Sequence, residues 1–175
     1  MSKVLTREIA EEWLAGEDSI YLDEFGIIDD AAAESLSKFK EELYLEGLTK
    51  LSDAAAESLS KHEGDELHLE GLTELSDAAA ESLGKHKGEL HFDGLTKLSD
   101  SAAESLGKHK GNLYLERLTK LSDTAAESLS KHKGELWLRG LTELSDAAIE
   151  SLSKHKGVIN YENPKKWAKR FKGNQ

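Results

Sequence analysis

Apolar residues recur along this chain at an almost constant interval. The hydrophobic positions that open short alternating segments are 23 residues apart, with one step of 24 between Leu43 and Leu67 that reflects an extra residue near Asp65. Within a segment, apolar residues alternate with variable ones, which is the pattern of a strand with one buried face. The spacing predicts strands that begin at Ile20, Leu43, Leu67, Leu90, Leu113, Leu136 and Ile159.

Each predicted strand is followed by a turn and then by the pattern of a short helix. In the second unit Ser52 is a suitable N-cap, because its hydroxyl can accept a hydrogen bond from the first helical turn. Ala55, Ala56 and Leu59 have the spacing of one helical face, so we expect them to point into the core. The same serine recurs as Ser76, Ser99, Ser122 and Ser145.

The end of each helix is also marked in the sequence. Lys61 and His62 are expected in the last helical turn, where positive charge suits the helix dipole. Gly64 follows them and is expected to be the C-cap of the helix. Later units have glycine at the same place, at Gly88, Gly111, Gly134 and Gly157.

A unit of strand, turn, helix and turn can bury its apolar face only by stacking on its neighbours. Identical units joined in this way place their strands in one parallel sheet, with the helices on the other side of the core. Helices are wider than strands, so the predicted fold is an α/β repeat, a curved solenoid with a concave sheet and convex helices. We divide it into a capping helix (1–18), six repeats (19–157) and a last strand with a basic cap (158–175).

Both ends of such a stack need covers for the exposed core. At the N-terminus, a helix from Leu5 to Leu14, with Thr6 as its N-cap, has Ile9 and Trp13 on the same side as Leu14. At the C-terminus, we expect a last strand over residues 159–161 and then a short helix from 164 onwards. Two apolar residues of that helix, four positions apart, form the expected plug, and they are Trp167 and Phe171.

The strand pattern resembles that of leucine-rich repeat proteins of the bacterial 23-residue type. The resemblance covers roughly residues 19–162 and rests on the repeat length, the apolar positions and the paired strand residues. Those pairs are Leu43-x-Leu45, Leu67-x-Leu69, Leu90-x-Phe92, Leu113-x-Leu115 and Leu136-x-Leu138. The asparagine usual in that family after the strand is missing here. The resemblance implies a protein–protein interaction scaffold that binds through its concave face.

The positions that differ between repeats form three columns on the predicted outer face of the sheet. The middle column is aromatic or imidazole, and it consists of Tyr21, Tyr44, His68, His91, Tyr114 and Trp137. The column that follows it is Asp23, Glu46, Glu70, Asp93, Glu116 and Arg139. The column before it is Ser19, Glu42, Glu66, Glu89, Asn112 and Glu135. We predict that the ligand-binding residues are the middle column together with Glu46, Glu70, Asp93, Glu116 and Arg139 of the following column. A plain strand-forming stripe is the alternative interpretation.

The charge of the chain narrows the class of partner. The sequence has 34 acidic and 23 basic residues and a net charge of −11. Five of the basic residues lie in the last twelve positions, which leaves 23 − 5 = 18 against 34 acids, about −16, for residues 1–163. This charge disfavours nucleic acid and anionic membranes as partners. A basic protein or peptide suits it, although acidity can also serve only to keep a repetitive protein soluble.

Composition also bears on the compartment and on catalysis. There is no cysteine and no uninterrupted apolar stretch of the kind a secretory signal needs, so we expect a cytoplasmic protein. The family resemblance implies a bacterial protein, and we expect a monomer without a cofactor. The serines recur in every unit as caps, whereas a catalytic nucleophile should occur once beside a base. We therefore expect a protein that is not an enzyme.

Two groups of histidines are candidates for a metal site. His68 and His91 occupy neighbouring rungs of the middle column and are flanked by Glu66, Glu70, Glu89 and Asp93, a set that could bind zinc. We do not favour a metal there, because the same residues fit a polar stripe. The other group, expected to pack on the convex side about 8–10 Å apart, is His62, His86, His109, His132 and His155.

Three hypotheses follow from the sequence. The first is a scaffold that recognises a protein or peptide through the aromatic and acidic columns. The second is a metal- or carbohydrate-binding module that uses the same face. The third is a structural repeat array without a specific ligand, which the near-identity of the repeats makes a serious alternative.

Overall fold

The computed structural model describes residues 2–16 and 19–173, so the parts of the predicted caps at residues 1, 17, 18, 174 and 175 lie outside it. The strands are β1 (Lys3–Leu5), β2 (Phe25–Ile28), β3 (Leu43–Tyr44), β4 (Glu66–His68), β5 (Glu89–His91), β6 (Leu113–Tyr114) and β7 (Leu136–Trp137). The helices are α1 (Arg7–Leu14), α2 (Asp30–Leu36), α3 (Asp53–Leu59), α4 (Asp77–Leu83), α5 (Asp100–Leu106), α6 (Asp123–Ser130), α7 (Asp146–Leu152) and α8 (Pro164–Gly173).

The chain is an α/β protein of repeating strand–helix units with a parallel five-stranded sheet. Strands β3 to β7 lie in sequence order, and each leucine is opposite its counterpart in the next repeat. Leu43 pairs with Leu67 although 24 residues separate them, because the extra residue near Asp65 lies in the turn before β4, as expected. The helices also contact one another in sequence order.

The predicted inward positions form the core. Leu43 and Leu45 from the strand, and Ala55, Ala56 and Leu59 from the helix, are fully buried, and their counterparts in later repeats are buried too. Each buried leucine contributes roughly 2 kcal/mol relative to an exposed one. The small alanines let the helix lie close to the strand residues, so one continuous core runs through all repeats.

Each predicted N-cap serine has a second role between repeats. The Ser99 hydroxyl accepts a hydrogen bond from the Ala102 N–H at 3.0 Å and donates one to the Asp77 carboxylate of the previous helix at 2.5 Å. The hydroxyl thus caps the N-terminus of its own helix and links this helix to the previous one. The same pair of contacts recurs at Ser52, Ser76, Ser122 and Ser145.

The prediction for the helix ends is wrong. Helix α3 ends at Leu59 with Ser60 as its C-cap, so Lys61 and His62 lie beyond the last turn and Gly64 does not cap the helix. Gly64 and its counterparts instead allow close approach between backbones. A Cβ atom at Gly111 would lie 2.0 Å from the carbonyl oxygen of Gly88, where no side chain fits.

The second group of histidines is buried inside the molecule. His62, His86, His109, His132 and His155 are each at most 5% exposed. The ring centroids of His109 and His132 are 6.0 Å apart, and those of His132 and His155 are 6.1 Å apart, closer than the 8–10 Å expected. The rings are this close because these residues lie in the turn between helix and strand, where the distance between repeats approaches the strand spacing of about 4.8 Å.

Burial has a clear electrostatic effect on these histidines. It lowers the pKa of His86 and of His132 to about 4 each, with a further lowering by the neighbouring histidines of the column. Their ring nitrogens have no hydrogen-bond partner of normal geometry among the described residues, and only nearby backbone groups oppose the shift. The column is therefore neutral and packs as part of the core.

The N-terminal end departs from the predicted strand at Ile20. Residues Leu22–Glu24 form a short 3-10 helix, and the strand forms later, as β2. Strand β2 pairs in parallel with β1, which the sequence did not predict. Helix α1 is the expected cover: Ile9 and Trp13 pack against the core, whereas Leu14 is 39% exposed. Thr6 is its N-cap without a side-chain hydrogen bond.

At the C-terminal end the predicted strand over 159–161 is a single bridge followed by a turn. Ile159 bridges Leu136 in parallel and Glu162 in antiparallel fashion, and both intervening residues have positive φ. Helix α8 then begins at Pro164 and buries Trp167, as expected. Among the helices of the described residues, none is long and apolar enough to cross a membrane.

The serine link predicts a measurable effect on stability. Replacing Ser99 by alanine removes the N-cap acceptor and the contact with Asp77, so we expect Ser99→Ala to lower the free energy of unfolding by about 1–2 kcal/mol in urea. Ser101→Ala is the matched control, because Ser101 is exposed and other repeats have alanine there. Equal stability of the two variants would contradict the proposed link.

The buried histidines predict a loss of stability in acid. The unfolded chain binds a proton near pH 6.5, whereas folded His86 and His132 stay neutral to about pH 4, so the unfolded state holds more protons in that window. Stability should therefore fall as the pH falls from 6.5 to 4, by roughly 1 kcal/mol per pH unit for each such histidine.

Urea unfolding at several pH values checks this dependence. The His132→Phe variant should show a smaller slope of unfolding free energy against pH, whatever its stability at pH 7. Phenylalanine suits the test because the first repeat has Phe39 at the equivalent position. An unchanged slope would assign the acid sensitivity to other groups.

Candidate functional site

Five of the six predicted rings form a continuous stack on the outer face of the sheet. Tyr44 stacks on His68 with ring centroids 4.4 Å apart, and His68 stacks on His91 at 4.0 Å. The stack continues from His91 to Tyr114 at 4.0 Å and from Tyr114 to Trp137 at 5.3 Å. The register of the sheet causes this arrangement, since it sets each ring directly opposite the next.

The rings of this ladder cover one another. Trp137 is only 4% exposed and His68 only 9%, whereas Tyr44 at the free end is 45% exposed. The ring faces of the inner members are therefore occupied by their neighbours, and a flat sugar can stack on the ladder only at its end. This geometry does not favour carbohydrate along the whole face.

The ends of the ladder differ from the prediction. Tyr21 precedes the 3-10 helix outside the sheet, and it lines a shallow cavity with Trp13, Tyr44 and Glu46 and does not extend the stack. At the other end Tyr161, which the sequence did not single out, packs edge-on against Trp137 at 4.0 Å and 88°. The sequence feature that could have indicated this turn is Asn160, because asparagine adopts the left-handed backbone conformation found there more readily than most residues.

The column before the ladder supplies hydrogen-bond acceptors to the rings. Glu89 accepts hydrogen bonds from the Tyr114 hydroxyl at 2.9 Å and from the Asn112 amide at 2.8 Å. Glu42 accepts one from the Tyr44 hydroxyl, and this contact raises the pKa of Tyr44 to about 12. The ladder is therefore held from one side by carboxylates.

The column after the ladder brings further carboxylates to the same rings. Glu70 lies 2.7 Å from Nδ1 of His68, and Asp93 lies 3.9 Å from Nδ1 of His91. Burial raises the pKa of Asp93, and the negative charges of Glu116 and Glu70 raise it further. Neighbouring acids in this column thus repel one another across the sheet.

Arg139 is the basic member of the predicted columns. It forms an ion pair with Glu116 at 3.1 Å, and its guanidinium carbon lies 4.8 Å from the centre of the Trp137 ring. It also lies 5.7 Å from the centre of the Tyr161 ring. The end of the face around β7 therefore shows how a guanidinium fits both the rings and the acids.

The two histidines of the ladder have opposite pKa shifts. Burial lowers the pKa of His68, but hydrogen bonds and charge from Glu70 and then Glu66 outweigh it, so the pKa of His68 is raised. Burial also lowers the pKa of His91, and the neighbouring His68 lowers it further. One imidazole of the stacked pair therefore binds its proton more tightly than the other.

Three residue groups on this face combine imidazole with carboxylate at short range. In each group the ligand atoms lie within 4.8 Å of one another. The groups are Glu66, His68 and His91; Glu46, His68 and Glu70; and Glu70, His91 and Asp93. The predicted candidate residues His68 and His91 are thus brought together, with Glu66 between their Nε2 atoms.

Comparisons of the chain with family models, curated protein sequences and solved structures give no significant match.

The two histidines predict separate titrations in NMR spectra. We expect the ring protons of His68 to titrate above pH 6.5 and those of His91 below it. Glu70→Gln should move the pKa of His68 down, because it removes the carboxylate at Nδ1. Glu135→Gln serves as the control, and an equal change in both variants would show that Glu70 acts only through net charge.

Proposed function

We propose that this protein is a non-catalytic scaffold that recognises a basic, arginine-containing protein segment through the ring ladder and its acidic columns. The observation that carries the proposal is the set of acids on both sides of the ladder, with Arg139 as the basic residue in the three columns. Rings supply contact area and acids select cationic groups, as at interfaces between proteins.

The acidic columns have an electrostatic cost that a cationic partner would relieve. The pKa of Asp93 is raised first by burial and then by the charges of Glu116 and Glu70, and the second part reflects that cost. A bound guanidinium would lower the repulsion between these carboxylates. Binding to such a face gains on-rate and specificity from the charge.

Arg139 supplies the proposed docking geometry from within the chain. Its guanidinium contacts the Trp137 ring and forms an ion pair with Glu116 at the same time. At the other end of the ladder, Tyr44 and Glu46 present an exposed ring and an exposed carboxylate, and the neighbours of Glu46 in its column, Asp23 and Glu70, are acids. We propose that an arginine of the partner docks there in the same way.

The proposal includes the finer architecture that the sequence predicts. Repeating units, in-register strands and helices in sequence order support a curved solenoid of the leucine-rich repeat kind, with the ladder on its concave side. A concave face would hold an extended segment along several rungs. This arrangement agrees with the family's role as an interaction scaffold, which is an argument by analogy.

A labelled peptide of alternating arginine and serine tests the proposal by fluorescence anisotropy. The face variant replaces Glu46, Glu70 and Glu116 by glutamine and Asp93 by asparagine. The control variant replaces four exposed helix glutamates by glutamine: Glu57, Glu81, Glu104 and Glu127. Both variants change the net charge from −11 to −11 + 4 = −7.

We expect the face variant to weaken peptide binding at least tenfold and the control variant to weaken it less than threefold. Circular dichroism should show that both variants fold. Equal losses in the two variants would mean that the peptide responds to net charge alone. Absence of saturable binding to the wild type at low salt would leave the structural-array hypothesis in its place.

A further inference from the structure

The two histidines of the ladder and one acid form a compact set of potential metal ligands. Glu66 and His68 are two residues apart on β4 and so point to the same face, and His91 lies directly opposite His68 on β5. An Oε atom of Glu66 is 3.0 Å from Nε2 of His68 and 3.4 Å from Nε2 of His91. Ligand atoms around a tetrahedral zinc ion lie about 3.4 Å apart, so the separation from His91 matches, and the separation from His68 is that of a hydrogen bond that the ion would replace.

The Nε2 atom of His91 has no hydrogen-bond partner of normal geometry although it is buried. Its distance of 3.4 Å from Glu66 is long for a hydrogen bond but suitable for two ligands of one ion. Glu89, the other acid nearby, is 4.0 Å away and accepts hydrogen bonds from Tyr114 and Asn112. Glu66 is thus the acid placed to share an ion with both imidazoles.

The opposite nitrogens of the two imidazoles face a second pair of acids. Glu70 lies 2.7 Å from Nδ1 of His68, and Asp93 lies 3.9 Å from Nδ1 of His91. The Glu70 carboxylate accepts a hydrogen bond from the Nδ1–H group of His68, so that proton can stay on Nδ1 when a metal ion displaces the proton that Nε2 shares with Glu66. Metal-binding histidines are oriented in this way by carboxylates behind them.

We propose that Glu66, His68 and His91 bind one divalent transition-metal ion of the zinc class, with a fourth position open to water or a ligand. Two imidazoles and one carboxylate suit such an ion and not magnesium or calcium, which prefer oxygen ligands. Binding tilts the two stacked rings, whose planes are 15° apart, towards a common point between their Nε2 atoms. The site does not depend on peptide recognition by the same face.

The ladder itself provides a suitable variant. Tyrosine is the natural residue of this column at Tyr44 and Tyr114, so His68→Tyr keeps a ring in the stack and removes a ligand. Glu66→Gln changes the carboxylate alone. Glu135→Gln is the matched control, because Glu135 has the same place in a repeat whose ladder residue is Trp137.

Calorimetric titration of the untagged, chelator-treated protein with ZnCl₂ tests the site, with MgCl₂ as the comparison. We expect one Zn²⁺ ion per chain, at least tenfold weaker binding in His68→Tyr and in Glu66→Gln, and less than a twofold change in Glu135→Gln. Magnesium should give no saturable binding. With Co²⁺, Glu70→Gln should also shift the visible absorption of the bound ion, which a change in stability alone would not do.

Two outcomes would overturn the proposal: no saturable one-to-one Zn²⁺ binding to the wild type, or unchanged Zn²⁺ affinity in Glu66→Gln. If His68→Tyr does not fold by circular dichroism, Glu66→Gln decides the question. If the wild-type protein binds Zn²⁺ but does not bind the arginine peptide, the result counts against the proposed function and not against the metal site.

Discussion

Close backbone contact between neighbouring repeats is the constraint on which the rest of the structure depends. At Gly111 the chain runs so near to the carbonyl group of Gly88 that no side chain fits between them. This contact and the parallel ladder of the sheet fix the repeats in register, so each residue lies opposite its own counterpart. Every column described above, whether apolar, aromatic, acidic or histidine, results from that register.

Register makes identical residues neighbours, and the energetic result depends on the residue type. Stacking stabilises the rings, and the Ser99 hydroxyl donates a hydrogen bond to an aspartate of the previous helix. Like charges are destabilised: burial raises the pKa of Asp93, and the charges of Glu116 and Glu70 raise it further. Burial and the neighbouring imidazoles disfavour the protonated form of His86 and so lower its pKa, and the buried histidines therefore stack in the neutral form. A repeat protein with these columns is therefore sensitive to acid and attractive to cations.

Local spacing was sufficient to predict the strands of the five-stranded sheet, the serine caps, the buried leucines and the order of its five stacked rings, because these depend on contacts within a unit or on simple stacking. The glycines and the buried histidines were misread, since their roles depend on how far apart the turns of successive repeats run. Tyr21 was misplaced and Tyr161 was not singled out, because the ends of the stack break the repeat. Glu66 approaches His91 more closely than Glu89 does. This difference depends on side-chain positions, which the periodicity of the sequence does not determine.

The turn after Ile159 has a consequence for association between molecules. The outer edge of β7 donates from Leu136 to Val158 and from Leu138 to the Asn160 side chain, and Leu136 accepts from the Asn160 N–H. Ile159 in turn exchanges two hydrogen bonds with Glu162. In a regular last strand, the backbone N–H and C=O groups of Ile159 would have been open to a strand of another molecule. By folding back on itself, the chain closes that edge against end-to-end growth into fibres.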